Sequence, residues 1–258
     1  RDPYDNPVLD TEEKIKEAIK SFPSGSLREQ KVFNKWVVAE GKVFNHIPTI
    51  SQEELKDYMI REIGIGCDYG SVNATTFGAL ALAQNQKTGK WNLIILDKYY
   101  HDPKVENDTP TTEYYSNQLR LFIDYLHSKY VGIPVNTLVI DSEAAHFDNR
   151  LETDGIRHEL AKKNKISVDE SVQYMQSLFC KDFLKIIESP HIRYFLPNGE
   201  PVFGGHDIGL EELESYHYDK LRSEREGINA YVKDFDHYVD GTRYIIMEFI
   251  SLDRKSVV

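Results

Sequence analysis

Ile63-Gly64-Ile65-Gly66-Cys67-Asp68-Tyr69-Gly70 decides how the rest of the chain is read. It has the composition of a buried strand, and it ends on a carboxylate followed by a glycine turn. Thr75–Ala83 and Trp91–Tyr100 are two further apolar runs rich in strand formers, with Lys87-Thr88-Gly89-Lys90 as the turn between them. Connections this short predict an antiparallel meander. Thr109-Pro110 then announces a helix with Tyr115, Leu119, Phe122 and Leu126 on one face. Val135–Asp141 is the next strand, and a strand reached through a helical crossover is expected to lie parallel to one already in the sheet. It too ends on an acid.

Asp68 and Asp141 thus stand where charge leaves the buried layer and faces the sheet's edge. On parallel neighbouring strands the two carboxylates lie side by side and repel unless a cation joins them. Hard oxygen ligands select Mg²⁺ or Mn²⁺. Asp236-His237-Tyr238-Val239-Asp240 opens a last helix whose Val239, Ile245, Ile246 and Phe249 face a core. Asp236 and Asp240 are four apart and His237 and Asp240 three apart, so either pair shares a face. Asp240 is the candidate third metal ligand, with Asp236 as the alternative. One such aspartate alone is more often a turn former or a surface residue; the set of three in this order carries the reading.

The chain of 258 residues can bury a sizeable core and carries a formal net charge of −11. Residues 1–60 hold 9 Lys and Arg against 11 Asp and Glu, and the remainder 22 against 31. An acid excess argues against a general polyanion binder, which needs clustered Lys and Arg, but not against an enzyme whose acids hold metal. No apolar run reaches membrane-spanning length, so a soluble chain without membrane partners is expected. Two cysteines, Cys67 and Cys180, make no disulfide framework and fit a reducing compartment. The start at Arg1, with neither initiator methionine nor signal pattern, reads as a fragment of something longer.

Smaller signals have plainer explanations. Cys67 reads as a buried strand cysteine rather than a nucleophile. Gly64, Gly66 and Gly70 make no dinucleotide loop, because Thr75–Ala83 is a strand and not a helix. Arg157, Lys162, Lys163 and Lys165 form the one basic cluster able to track a DNA backbone, and a solvated face explains them more simply. Asp10 or Thr11 can cap a helix through Ile15, Ala18 and Ile19, while Lys31–Phe44 alternates weakly. Ser51 and Glu54 have capping-box spacing for a short helix to Met59. Glu170–Phe179 and Lys181–Glu188 read as helices, and Glu211–Arg225 as a charged one. Asn198-Gly199 marks a hairpin between His191–Leu196 and Pro201–Phe203.

Ile65-Gly66-Cys67-Asp68-Tyr69-Gly70 with Thr75, Val139-Ile140-Asp141-Ser142, and Asp236-His237-Tyr238-Val239-Asp240-Gly241-Thr242-Arg243-Tyr244 resemble the nuclease domain of tailed-bacteriophage large terminase subunits. Leu210–Asp219, with Glu211, Leu213, Tyr216 and Tyr218, resembles the segment before that family's last motif, and the likeness spans roughly residues 61–250. It implies an α/β fold: a ribonuclease-H-like mixed sheet of three antiparallel strands plus parallel strands, flanked by helices. It also implies a two-metal endonuclease that cuts concatemeric viral DNA during genome packaging. Asp68, Asp141 and Asp240 would hold Mg²⁺ or Mn²⁺, with His237 beside them to position water or substrate. Residues 61–258 would be the nuclease domain, and 1–60 the mostly helical linker and remnant of a preceding ATPase domain. Double-stranded DNA, that ATPase domain, the small terminase subunit and the portal would be partners, in the cytoplasm of the infected bacterial host. The chain has no GxxxxGK[ST] loop for ATP, and Phe183–Ile208 departs from the family's pattern.

Two rival readings remain at this level. Asp68-Tyr69-Gly70-Ser71 with Thr75 also resembles the first phosphate loop of actin-like and sugar-kinase phosphotransferases, although a second phosphate loop and an adenosine motif are missing. The acidic surface alternatively suits a non-catalytic docking module of a packaging motor.

Overall fold

A computed structural model describes residues 41–163, 166–233 and 235–253. The helix expected around Ile15–Ile19, most of Lys31–Phe44, and Lys165 lie outside these residues. In chain order come β1 (Thr49–Ile50), α1 (Gln52–Leu55), β2 (Tyr58–Asp68), β3 (Thr75–Asn85), β4 (Trp91–His101) and α2 (Pro103–Glu106). There follow α3 (Thr112–Lys129), β5 (Val135–Ile140), α4 (Ala145–Thr153), β6 (Glu159–Leu160), α5 (Val168–Cys180) and β7 (Leu184–Ile187). The hairpin β8 (Ile192–Phe195) and β9 (Pro201–Phe203) precedes α6 (Ile208–Ser215), α7 (Lys220–Glu226) and α8 (His237–Asp253).

The main sheet runs β1-β7-β4-β3-β2-β5-β6. β2, β3 and β4 form the antiparallel meander, and β5 then lies parallel to β2, with β6 parallel to β5 and β7 parallel to β4. The meander and the parallel crossover strand are those expected from the run of strands, and together they make a mixed sheet of antiparallel and parallel strands flanked by helices. One face is covered by α3 and α4: Tyr115, Leu119, Phe122 and Leu126 meet Ile63, Ile65, Phe77 and Ile94. The other is covered by α5 and α8, where Val172, Met175, Ile245 and Phe249 meet Leu80, Leu93 and Val139. Both layers exclude water because each helix presents an apolar stripe of the right period. Residues 41–60 join this body: Val43 and Phe44 are buried in the α8-side core, and β1 pairs with β7. Among the described residues no helix is long and apolar enough to cross a membrane.

Three expectations are corrected. Lys181–Glu188 is not a helix. Asp182 takes a left-handed conformation (φ 52°) that ends α5, and Leu184–Ile187 then extends as β7 between β4 and β1. A run of four apolar-patterned residues cannot be assigned by period, and a vacant sheet position decides it. Glu211–Arg225 is two helices, because Tyr216 turns extended after α6 and Asp219 caps a new start at α7. The capping box at Ser51 and Glu54 forms, but α1 ends at Leu55 and Met59 already belongs to β2. The hairpin at Asn198-Gly199 forms, with Gly199 at φ 86°.

Candidate active site

β2 and β5 are in register at Cys67 and Ile140, so Asp68 and Asp141, one residue on, emerge side by side from parallel strands. Both point to the α8 face. Asp68 continues the side of Gly66, which α8 covers, and Asp141 receives a hydrogen bond from the α8 residue Tyr244. The helix comes this close because β2 offers glycine there: a Cβ on Gly66 would run into the Gly241 carbonyl, and one on Gly64 would overlap Ile245 and Phe249. Thr76 of β3 donates to the His237 carbonyl at 3.1 Å, fixing the first turn of α8 above the ends of β2 and β3. That turn delivers His237 and Asp240 to the acids.

Each acid already faces a basic group. His237 Nδ1 donates to Asp68 Oδ2 at 2.9 Å. Arg243 Nη2 donates to Asp240 Oδ1 at 2.9 Å, and its Nη1 to the Ser171 hydroxyl at 3.0 Å. Lys233 Nζ lies 3.3 Å from Asp240 Oδ2 and 3.0 Å from Asp236 Oδ2. Lys163 Nζ sits 2.6 Å from Asp141 Oδ1, while the Tyr244 hydroxyl donates to Oδ2 at 3.2 Å.

The electrostatics follow from this crowding. Burial pushes the Asp68 carboxyl above its ordinary range, the His237 hydrogen bond pulls it back, and the charges of Asp240 and Asp141 push it up again. Burial pulls the His237 imidazole down, yet the hydrogen bond and charge of Asp68 outweigh it and leave the net direction upward. Burial raises Asp240, but the charges of Arg243 and Lys233 hold it below the usual carboxylate range. Cys67, fully buried beside Asp68 and Asp141, has its thiol pushed well above its ordinary range by burial, as befits a strand cysteine.

The three predicted acids and His237 are therefore brought to one edge of the sheet. The charge of Asp240 is among those that push the Asp68 carboxyl up, and Asp236 and Asp240 share Lys233. Among the described residues, no three His, Cys, Asp or Glu side chains are gathered closely enough to hold a metal ion. The donor chemistry of Asp68, Asp141 and Asp240, carboxylate oxygens along that edge, is of the kind a hard divalent cation takes. The basic cluster is dispersed: Lys162 pairs with Glu248, Lys163 with Asp141, and Arg157 faces solvent.

Sequence reasoning missed Lys233 and Glu212. Glu212 is fully buried, accepts the Val239 N–H at 2.9 Å through Oε1, and finds no hydrogen-bond partner for Oε2 among the described residues. Burial pushes its carboxyl up to about 8, with the Val239 N–H and His237 pulling the other way. The one available signal is spacing, since Gly209, Glu212 and Leu213 share the buried face of α6.

No family model and no curated protein sequence matches the chain. Its fold is similar to that of the large terminase from a thermophilic bacteriophage. In one crystal form of that protein the TM-score is 0.70 at 22% identity, over 94% of this chain and 53% of that one. For the same terminase in complex with ATP-γ-S the TM-score is 0.68 at 24% identity, over 92% and 52%. The chain spans about half the length of these structures.

Proposed function

We propose that this chain is the nuclease part of a viral DNA-packaging terminase, a metal-dependent endonuclease that cuts concatemeric double-stranded DNA. The observation that carries the reading is the Cys67–Ile140 register, which sets two strand-end aspartates side by side beneath a helix that brings a third. Carboxylates are placed in this way, at a cost in repulsion, where a cation or a cation-dependent reaction repays it. The fold shared with the large terminase of the thermophilic bacteriophage supports the packaging context. A preceding ATPase domain, the small terminase subunit and the portal are the partners proposed, in the cytoplasm of an infected bacterium.

Asp68, Asp141 and Asp240 would hold two Mg²⁺ or Mn²⁺ ions, which when bound supply an activated water and charge stabilisation at the leaving oxygen. The chain's own groups do the positioning. Tyr244 and the Glu143 N–H, at 3.2 and 2.8 Å, orient Asp141. His237 orients Asp68 through the hydrogen bond from Nδ1 to Oδ2. Arg243, anchored on Ser171, fixes the Asp240 rotamer.

Nicking of supercoiled plasmid in Mn²⁺ or Mg²⁺ tests the reading. Wild type is expected to nick and to stop on chelation, while Asp68→Ala, Asp141→Ala and Asp240→Ala each lose about 100-fold or more, the scale of removing one essential site group. Equal cleavage by all four proteins removes the proposed site.

A further inference from the structure

Resting on the nuclease reading, we propose that Lys163 is an internal counter-cation that competes with a divalent ion for Asp141 and so sets how readily the site takes metal. Lys163 Nζ stands 2.6 Å from Asp141 Oδ1 and 3.4 Å from Glu143 Oε1, in the place a cation would take on that carboxylate. The Asp141 oxygens have other partners too: Oδ2 accepts from Tyr244, and Oδ1 also accepts the Glu143 N–H at 2.8 Å. Asp141 is thus the acid whose hydrogen-bonding capacity is most nearly filled, and one partner must leave before an ion can bind there. Tyr244 belongs to the core face of α8 and is buried. The Glu143 amide is part of the turn that Asp141 itself makes. Lys163 is the replaceable one, on a turn with its side chain 30% exposed.

The surroundings give it somewhere to go. A cavity of about 250 Å³ opens beside Lys163 and is lined by Lys162, Lys163, Ser171, Arg243, Tyr244 and Glu248, among others. The Lys163 ammonium already lies 5.6 Å from the centre of the Tyr244 ring, so withdrawal from Asp141 leaves a cation–π contact to fall back on. The other pairings in the site differ. Arg243 is buried and held by Ser171 as well as by Asp240, so it is a fixed support. Lys233 stands farther from its acid, at 3.3 Å, and divides itself between Asp236 and Asp240. Of these three cations, Lys163 makes the shortest contact with a candidate metal ligand, on a side chain that is partly exposed.

Calorimetric titration of Mn²⁺, without DNA, into wild type, Lys163→Gln, Lys163→Arg and Asp141→Asn tests this apart from catalysis. Lys163→Gln is expected to bind Mn²⁺ roughly fivefold more tightly than wild type, the factor that a partly exposed ion pair withholds. Lys163→Arg, which keeps the charge, should stay within about twofold of wild type, and Asp141→Asn should bind more weakly than either. Melting followed by circular dichroism checks that each variant is folded; Lys163 lies at the surface, so loss of fold is not expected. Equal Mn²⁺ affinity in wild type and Lys163→Gln, with Asp141→Asn weaker, overturns the proposal and leaves the nuclease reading standing. No Mn²⁺ binding by any of the four proteins overturns both.

Discussion

Glu212 shows how a single residue can hold a site together without belonging to it. It lies under the first turn of α8 and accepts the Val239 N–H, one of the donors a helix start leaves unsatisfied. The same burial pushes its carboxyl up to about 8, from an ordinary value of 4.5. The sign follows directly. Between these two values the folded protein keeps a proton that the unfolded chain has lost, so stability falls as pH rises through that window. Glu212→Gln keeps an acceptor for Val239 and removes the titration. Unfolding free energies from urea titrations should therefore fall more between pH 5.5 and pH 8 for wild type than for Glu212→Gln, by on the order of 1 kcal/mol or more. Parallel profiles would show that Glu212 is ionised in the folded protein. The residue was hard to find from sequence because Glu211 and Glu212 look alike there, and only the packing of α6 on α8 tells them apart.

At the scale of elements, the site depends on how closely α8 can lie on β2. A Cβ at Gly66 would collide with the Gly241 carbonyl, which is backbone and cannot rotate away. A Cβ at Gly241 would come no nearer than 3.2 Å to the Asp68 nitrogen, with the Thr76 hydroxyl at 3.4 Å and the Cys67 carbonyl carbon at 3.5 Å. The two contacting glycines are therefore unequal. Gly66→Ala is expected to cost about 3 kcal/mol or more and to lift α8 from the acids. Gly241→Ala should be within about 1 kcal/mol of wild type, because the gain in helix propensity offsets a tight contact. Chemical denaturation of both variants checks this; equal losses would mean the glycines do not set the approach. The elements that carry the acids were legible for a local reason: long apolar strands bounded by turns leave a strand-end aspartate conspicuous. β7 was not, since Leu184–Ile187 becomes a strand only because β4 and β1 offer edges far away in sequence. The break between α6 and α7 was hidden likewise, as charge patterning continues through it while Tyr216 turns inward to stack on Tyr231. The counter-ions of the site fared worst. Lys163 reaches Asp141 from beyond α4 and β6, and Lys233 reaches Asp240 from the loop before α8, so no periodicity announces either.

At the scale of the whole molecule, the proposed DNA substrate sets an acidic chain an electrostatic difficulty. The formal net charge is −11, so DNA approaches against an unfavourable overall field. Near the acids the available cations are few, and most are engaged: Lys162 with Glu248, Lys163 with Asp141, and Arg243 with Asp240. On the proposed reading, neutralising the three carboxylates with metal would remove part of the repulsion and release Lys163 toward the DNA at the same time. DNA affinity should therefore depend on divalent ions even where no cutting occurs. Anisotropy of a labelled short duplex, in Ca²⁺ and in chelator, checks this between about 50 and 200 mM salt. Binding is expected to be weak in chelator and stronger in Ca²⁺, with a log–log salt slope of only about −2 to −3, reflecting two or three phosphate contacts. Identical binding with and without Ca²⁺ would remove the electrostatic link between acids and substrate. A slope of about −6 or steeper would place the main DNA contacts on a basic surface away from these acids.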